Sequence, residues 1–409
     1  MNGCFAYYRL PGENEYVEVS SSAPATVLKD ISEAGNAPGF IIAPFSASSS
    51  TAIVLIPAQE LCRHKLTDEM ESEPDCIHSS QTTNDSDSIN ISEPAADKEP
   101  HSYAEDFSEY GKAFASFHQA VCDGRFRKLV LSRSRGIEFE EPVCLKDLFL
   151  KACAMYPHLM VMLHHTDISG TWLVATPEPL IEYHNGEFHT VALAGTINGG
   201  SLESSADDHG LNIWDAKNRA EQNVVERFIT ESLEPFASEI WKEGPYTSKA
   251  GHLLHLKTDI HFKASESKLG EIVSALHPTP AICGLPQKEA REFILRNEAH
   301  RRKYYSGFAG PVGINGRTRL YVSLRCAEFP ELIGNGNGAD SLYVNRARLY
   351  AGGGIMPDSA CRSEFEETEN KMQTMKRCLD LCQIRKEIEN VQQYGERKYT
   401  YCFAHQAWC

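Results

Sequence analysis

The chain has 409 residues, 42% of them hydrophobic and 23% charged, enough for a large buried core and ordinary for a globular protein. A formal net charge of −16 argues against nucleic acid as a main partner, because phosphate binding needs a basic surface. No apolar run approaches the ~18 residues of a membrane span, the opening MNGCFAYYRLPGENEY lacks the regions of a signal peptide, and thirteen cysteines scattered without framework spacing fit reduced thiols. The expected protein is therefore cytoplasmic, with no membrane and no nucleic-acid partner.

Residues 1–66 contain short apolar runs, such as Phe40-Ile41-Ile42 and Ala52 to Ile56, that read as strands or short helices. Residues 67–105 are rich in Ser, Asp, Glu and Asn and poor in large apolar residues, which predicts a flexible acidic linker or loop. The globular pattern of residues 106–383 follows, and an aromatic tail, 384–409, closes the chain. Within the globular part the periodicity predicts a helix over 105–123, a strand from Lys128, a helix over 145–155, and strands over 159–164 and 172–176. A strand over 189–194 enters the glycine-rich AGTINGGS. Helix 215–235, strand 253–261, helices 268–276 and 287–306, and strands 311–314, 319–327 and 341–351 complete the pattern. Helices and strands mix without strict β-α-β alternation, so the fold class is α+β.

Near the end of this pattern, Gly352 to Gly354 run into a helix bearing Glu364, Glu366, Glu367 and Lys371. Glycines are retained where something approaches the main chain closely. Ser363 and Glu366 have capping-box spacing, and Phe365, Met372, Met375 and Leu379 form the apolar stripe. On spacing alone Glu367 and Lys371 are an i,i+4 surface pair. In helix 215–235, Glu221 shares the inward stripe of Ala220, Val224, Val225, Phe228, Ile229 and Leu233, so it is either a ligand or a partner of a core cation. Strand alternation sets Lys128, Val130 and Ser132 on one face, and a buried lysine there is a candidate base, whereas the nearby arginines suit a solvated basic edge. Glu178, fixed between Pro177 and Pro179, suits general acid work if buried. Arg325 ends a strand and has the geometry to clamp a carboxylate. Tyr305 precedes Ser306-Gly307, where a helix should stop.

In their order along the chain, KLVLSR (128–133), TPEPL (176–180), LAGT (193–196), AEQNVVERF (220–228), HLKTDI (255–260), LHPTPA (276–281), YYSGFAGPVG (304–313), VSLRCAE (322–328), AGGGI (351–355) and EFEETENK (364–371) resemble the chorismate-utilising enzymes, and among them the isochorismate synthases. The resemblance covers roughly Phe107 to Lys376. It implies a large chorismate-binding fold of mainly antiparallel sheets flanked by helices. It implies Lys128 as the base that activates water at C2 of chorismate and Glu178 as the acid that protonates the departing C4 hydroxyl. Glu221 and Glu367 would hold Mg²⁺ over the ring carboxylate, with Lys371 and the backbone of Gly195 and Thr196 binding that carboxylate. Arg325, Tyr305 and the backbone near Gly354 would hold the enolpyruvyl carboxylate, and His255 would lie by the ring hydroxyl. The face of Glu367 and Lys371 should then point into a cleft.

The chain departs from many relatives at Gln222, Gly353 and Phe365, where His, Ala and Trp are usual. Lys128 and Ala281 argue for water as nucleophile, since relatives that use ammonia from a glutaminase partner typically carry Gln and Thr there. The expected activity is Mg²⁺-dependent, reversible conversion of chorismate to isochorismate by a monomer without a glutaminase subunit, serving menaquinone or siderophore synthesis. The alternatives are a salicylate synthase, an anthranilate or aminodeoxychorismate synthase component, and a non-catalytic binder of similar ligands.

Overall fold

The computed structural model describes residues 3–34, 37–48, 50–66, 103–198, 211–250, 253–334 and 338–382. The linker read from composition at 67–105 lies outside the described residues apart from its last three, as does the tail at 384–409.

Two nine-stranded sheets organise the molecule, and every pair of neighbouring strands is antiparallel. The first runs, in spatial order, Gly284–Leu285, Lys128–Cys144, Tyr343–Ile355, Cys326–Phe329, Gly170–Thr176, Met160–Thr166, Cys4–Arg9, Glu15–Ser21 and Glu60–Lys65. The second runs Glu239–Ala250, Leu253–Lys263, Glu187–Asn198, Pro179–His184, Arg317–Val322, Phe308–Val312, Gly39–Ala43, Ile53–Pro57 and Thr26–Leu28. Residues before 67 thus supply strands to both sheets.

Strand alternation explains the layering. Ala6, Tyr8, Met162, Trp172 and Val174 of the first sheet meet Phe40, Ile42, Ala309 and Tyr321 of the second in a core between the sheets. The intervening residues Phe5, Tyr7, Val161, Leu163 and Leu173 face outward, where helix Leu145–Met155 and the helix over 361–382 cover them through Leu148, Phe149, Met372, Met375 and Leu379. On the outer face of the second sheet, Phe188, Ala192, Ile260 and Phe262 are covered by helix Ala216–Leu233 and helix Leu269–Leu276. Helix Tyr103–Cys122 and helix Gln287–Asn297 bury Phe117, Ala290 and Ile294 with Leu129, Leu131 and Phe365. The α+β class with mainly antiparallel sheets flanked by helices is what the molecule has.

Several local expectations need correction. The helix from Gln287 ends at Asn297 rather than Ser306, because Glu298 turns extended (φ −73°, ψ 140°) and Lys303 and Ser306 take positive φ. The strand expected over 319–327 divides at Arg325 (φ 48°), its halves joining different sheets. Strand 187–198 continues into the sequence read as a glycine-rich loop, and strands at 179–184 and 239–250 had no sequence counterpart. The last helix starts at Cys361, so Ser363 lies within its first turn and does not cap it. On helix Ala216–Leu233 the buried ridge is Gln222, Val225, Ile229 and Leu233, while Ala220 is exposed.

Candidate active site

A cleft with an empty volume of about 730 Å³, counted to its open mouth, is walled by both sheets. All the residues singled out from sequence line it except Thr196: Lys128, Glu178, Gly195, Glu221, His255, Tyr305, Arg325, Gly354, Glu367 and Lys371. Thr196 directly follows Gly195, and its backbone pairs with His255 in the sheet. Sequence reasoning did not single out Leu193, Ile282, Leu324 or Tyr350, which with Val130 supply apolar and aromatic wall; Leu193 and Tyr350 lie on strands that carry polar candidates, and Ile282 and Leu324 lie in connections between elements.

Lys128 opens the longest strand and is buried, not part of a solvated edge. Its Nζ donates to Glu221 Oε1 at 2.6 Å, joining residues 93 apart in the chain. Arg133 and Arg135, read with it as one basic edge, pair instead with Asp106 and Glu369. Val130 and Leu129 of the Lys128 strand pair with Gly354 and Ile355. A Cβ at Gly354 would stand 2.7 Å from Glu221 Oε1 and 2.8 Å from Lys128 Cε, so both side chains would have to move to admit one. On the last helix, Lys371 Nζ contacts Glu367 Oε1 at 2.7 Å and donates to Gly352 O at 2.9 Å. That pair is within one helix and half-exposed, yet its face does point into the cleft.

Across the cleft, Glu178 precedes strand Pro179–His184 and is buried. Burial pushes its carboxyl up to about 7, against the opposing pull of Lys128, Lys371 and Arg325. Arg325 is buried and sits in the left-handed region, a strained conformation for a residue with a Cβ. Burial lowers its guanidinium to about 10, while Tyr156 and Glu178 hold it up. Arg325 donates to His255 Nε2, and His255 Nδ1 lies 3.1 Å from Gly195 O. A guanidinium only donates and a carbonyl only accepts, so these partners assign the neutral imidazole with its proton on Nδ1. Tyr305 stacks on Tyr350 (centroids 5.4 Å apart, 16° between planes), and Tyr350 donates to Glu328 Oε2 at 2.5 Å. Behind the Lys128 strand, Glu298 Oε1 accepts from Ser132 N at 2.8 Å and from Arg302 Nη2, which also donates to Val130 O (2.8 Å), while Arg302 Nη1 donates to Ile282 O (2.6 Å).

The donors available to a cation are oxygens. Glu221 and Glu367 both approach the Gly353-Gly354 backbone, and the buried Glu364 carboxylate lies beside Gly353, 3.3 Å from where its Cβ would be. Hard carboxylate oxygens suit Mg²⁺. Among the described residues no group of three or more His, Cys, Asp or Glu side chains is arranged to hold a metal. The fit therefore rests on two glutamates, with water and a bound carboxylate completing a shell, which is how Mg²⁺ is commonly held.

Comparison with known proteins gives the site its context. The sequence profile of a family described as chorismate binding enzyme matches residues 40–380. The chain is 30% identical over 275 residues to the isochorismate synthase DhbC of Bacillus subtilis, covering 64% of this chain and 66% of that one. It is 29% identical over 298 residues to the salicylate biosynthesis isochorismate synthase of Pseudomonas aeruginosa, covering 70% and 58%. These matches span less than two thirds of the relatives' own lengths. The fold is shared with the menaquinone-specific isochorismate synthase MenF of Escherichia coli (TM-score 0.68, 20% identity, 92% of this chain and 88% of that one). It is also shared with anthranilate synthase component I of Streptococcus pneumoniae (TM-score 0.61, 16% identity, 91% and 89%). With the family profile matched over most of its length, the chain belongs to the chorismate-binding enzymes.

Proposed function

We propose that the protein is an isochorismate synthase, converting chorismate reversibly to isochorismate with Mg²⁺. The observation that carries this reading is the pairing, in one cleft, of a buried carboxyl held near pH 7, Glu178, with a buried amine, Lys128. The two groups have the complementary roles that exchange of one hydroxyl for another requires. Lys128 takes a proton from the water that attacks C2. Both double bonds of the ring diene shift, C1=C2 to C1=C6 and C5=C6 to C4=C5, and Glu178 gives its proton to the hydroxyl leaving C4, so that one water enters and one departs. The bond from Lys128 Nζ to Glu221 Oε1 fixes where the amine sits in the cleft. Proton exchange with solvent resets both groups.

Chorismate is a dianion, and the cleft offers cations for both carboxylates. Lys371 and the Gly195–Thr196 backbone take the ring carboxylate; Arg325, Tyr305 and the backbone at Gly354 take the enolpyruvyl carboxylate. His255, its proton held on Nδ1 by Gly195 O, keeps Arg325 in place. Mg²⁺ held by Glu221 and Glu367 would draw negative charge toward the ring carboxylate as the diene rearranges. The same reading makes the enzyme a cytoplasmic monomer that needs no glutaminase subunit, a compartment consistent with free thiols at all ten described cysteines.

The test is incubation of purified protein with chorismate and Mg²⁺ and NMR analysis of the products. Isochorismate in equilibrium with chorismate is expected. Salicylate formed by the protein alone, or anthranilate on adding ammonia, would replace this reading.

A further inference from the structure

Gln222 follows Glu221 on helix Ala216–Leu233 and is completely buried. Its carboxamide makes three hydrogen bonds. Oε1 accepts from Ala194 N at 3.0 Å; Nε2 donates to Ala192 O at 2.9 Å and to Thr258 Oγ1 at 3.0 Å. Ala192 and Ala194 are alternate residues of strand Glu187–Asn198, and their backbone groups share one edge of it. Strand Pro179–His184 pairs along that edge only as far as His189. Beyond it, Thr190 Oγ1 reaches Leu180 O at 2.8 Å, and the Gln222 amide takes the next carbonyl and the next N–H. One uncharged amide thus stands in for the peptide group of a missing neighbouring strand.

The place it holds matters. The ladder to strand Leu253–Lys263 shifts register between Ala194 and Thr196, leaving Gly195 as a bulge at φ 68°. Bulges re-aim the chain next to functional sites. The space a Cβ would need at Gly195 is filled by Asn218, whose atoms would lie 3.0–3.4 Å away. Asn218, Glu221 and Gln222 form one turn of the helix, so the turn that carries a cleft carboxylate also grips the bulge that lines the cleft.

We propose that Gln222 is a positioning residue: it locks the helix in phase with the Gly195 bulge, so that Glu221 and the Gly195 backbone present one fixed geometry to a bound cation and carboxylate. The meaning of that geometry rests on the function proposed above; the lock itself does not. Methionine matches the length of glutamine and makes none of the three bonds. Neutral histidine has one donor and one acceptor, so it can replace at most two.

Gln222→Met, with Gln222→His as the partial replacement, tests this by hydrogen exchange, melting, Mg²⁺ calorimetry and steady-state kinetics. In Gln222→Met, amides in peptides spanning Ala194 should exchange faster while those of strand Met160–Thr166 do not change. The half-activating Mg²⁺ concentration and the chorismate KM should rise about tenfold, as when supporting bonds around a metal site are lost, with a smaller fall in kcat. Gln222→His should recover part of each effect. Unchanged exchange at Ala194, or a lower melting temperature with unchanged Mg²⁺ and chorismate constants, overturns the proposal. If Gln222→Met does not fold, Gln222→His alone decides: wild-type Mg²⁺ and chorismate constants in it overturn the proposal, and intermediate ones support it. If the wild-type protein leaves chorismate unchanged, the functional reading fails, and Mg²⁺ calorimetry on the same variants still reports whether Gln222 positions Glu221.

Discussion

Glu178 and Glu182 lie four residues apart, one just before and one within the same strand, and the molecule treats them in opposite ways. Glu178 is buried in the cleft, where desolvation outweighs the pull of Lys128, Lys371 and Arg325 and its carboxyl rises to about 7. Glu182 is half-buried, and there His189 Nδ1 at 3.0 Å and the Tyr321 hydroxyl at 2.7 Å overcome the desolvation and hold it below the usual range. His189 in turn meets Asp259 Oδ1 at 2.7 Å, and Lys257 and Tyr246 close the network. Burial alone therefore does not make a carboxylate reactive. Burial without enough hydrogen bonds to the ionised form keeps a transferable proton, and burial with them builds a strut.

The largest effect should come from the reactive member of this comparison. Glu178→Gln should lower kcat by about 10²–10⁴-fold, the contribution of a general acid, while the protein melts at or above the wild-type temperature and still binds chorismate by calorimetry. Lys128→Ala should fall in the same range. Full activity in either variant would remove that residue from the acid–base pair. Because the acid must be protonated, kcat/KM should decline as pH rises through about 7; a profile flat from pH 6 to 8.5 would contradict the assignment.

The strut should fail differently. His189→Phe leaves Glu182 and Asp259 without their shared partner, which should cost about 1–3 kcal/mol in chemical denaturation with kcat preserved. Equal losses of stability and of kcat would show that the network serves the cleft directly. The pH dependence of melting separates the two further. Burial draws the His189 imidazole down, but its bonds to Asp259 and Glu182 prevail and raise it to about 9. A raised folded value means that stabilisation is complete below the unfolded value of about 6.5 and is lost as pH rises through about 9. Asp259 and Glu182, both lowered, contribute above their ordinary values and lose that contribution as pH falls. The wild-type melting temperature should therefore decline between pH 6.5 and 9 more steeply than that of His189→Phe, and equal slopes would count against the network. The smallest effect is expected at the solvated pair Lys263–Glu239, where Lys263→Ala should leave melting and kinetics unchanged.

Regular elements with clear periodicity were legible in sequence. Helix Leu145–Met155 was read to the residue, because its apolar positions repeat cleanly between Cys144 and Tyr156. The misreadings fall where side chains do tertiary work. Glu298 and Arg302 have helical spacing, yet they spend their charges on Ser132, Val130 and Ile282 in extended chain, a demand set by a strand some 166 residues away. Arg325 interrupts a strand-like run because it must turn to meet His255, 70 residues earlier. For the site, residue type and local face were legible: Lys128 does lie with Val130 on the cleft side, and Glu221 does leave the solvent. Which cation faces Glu221 was not, since the partner opens a strand 93 residues earlier in the chain. Gln222 was legible only as a departure from relatives, because nothing local distinguishes a buried amide that replaces a strand from one that faces water.

The most direct measurement is turnover of chorismate in H₂¹⁸O with Mg²⁺ and purified protein, read by mass spectrometry. Water attack at C2 with loss of the C4 hydroxyl predicts isochorismate carrying one ¹⁸O, formed by wild-type protein and nearly absent with Glu178→Gln. Isochorismate without the label, or labelled product formed equally well by Glu178→Gln, would contradict the roles given to the cleft.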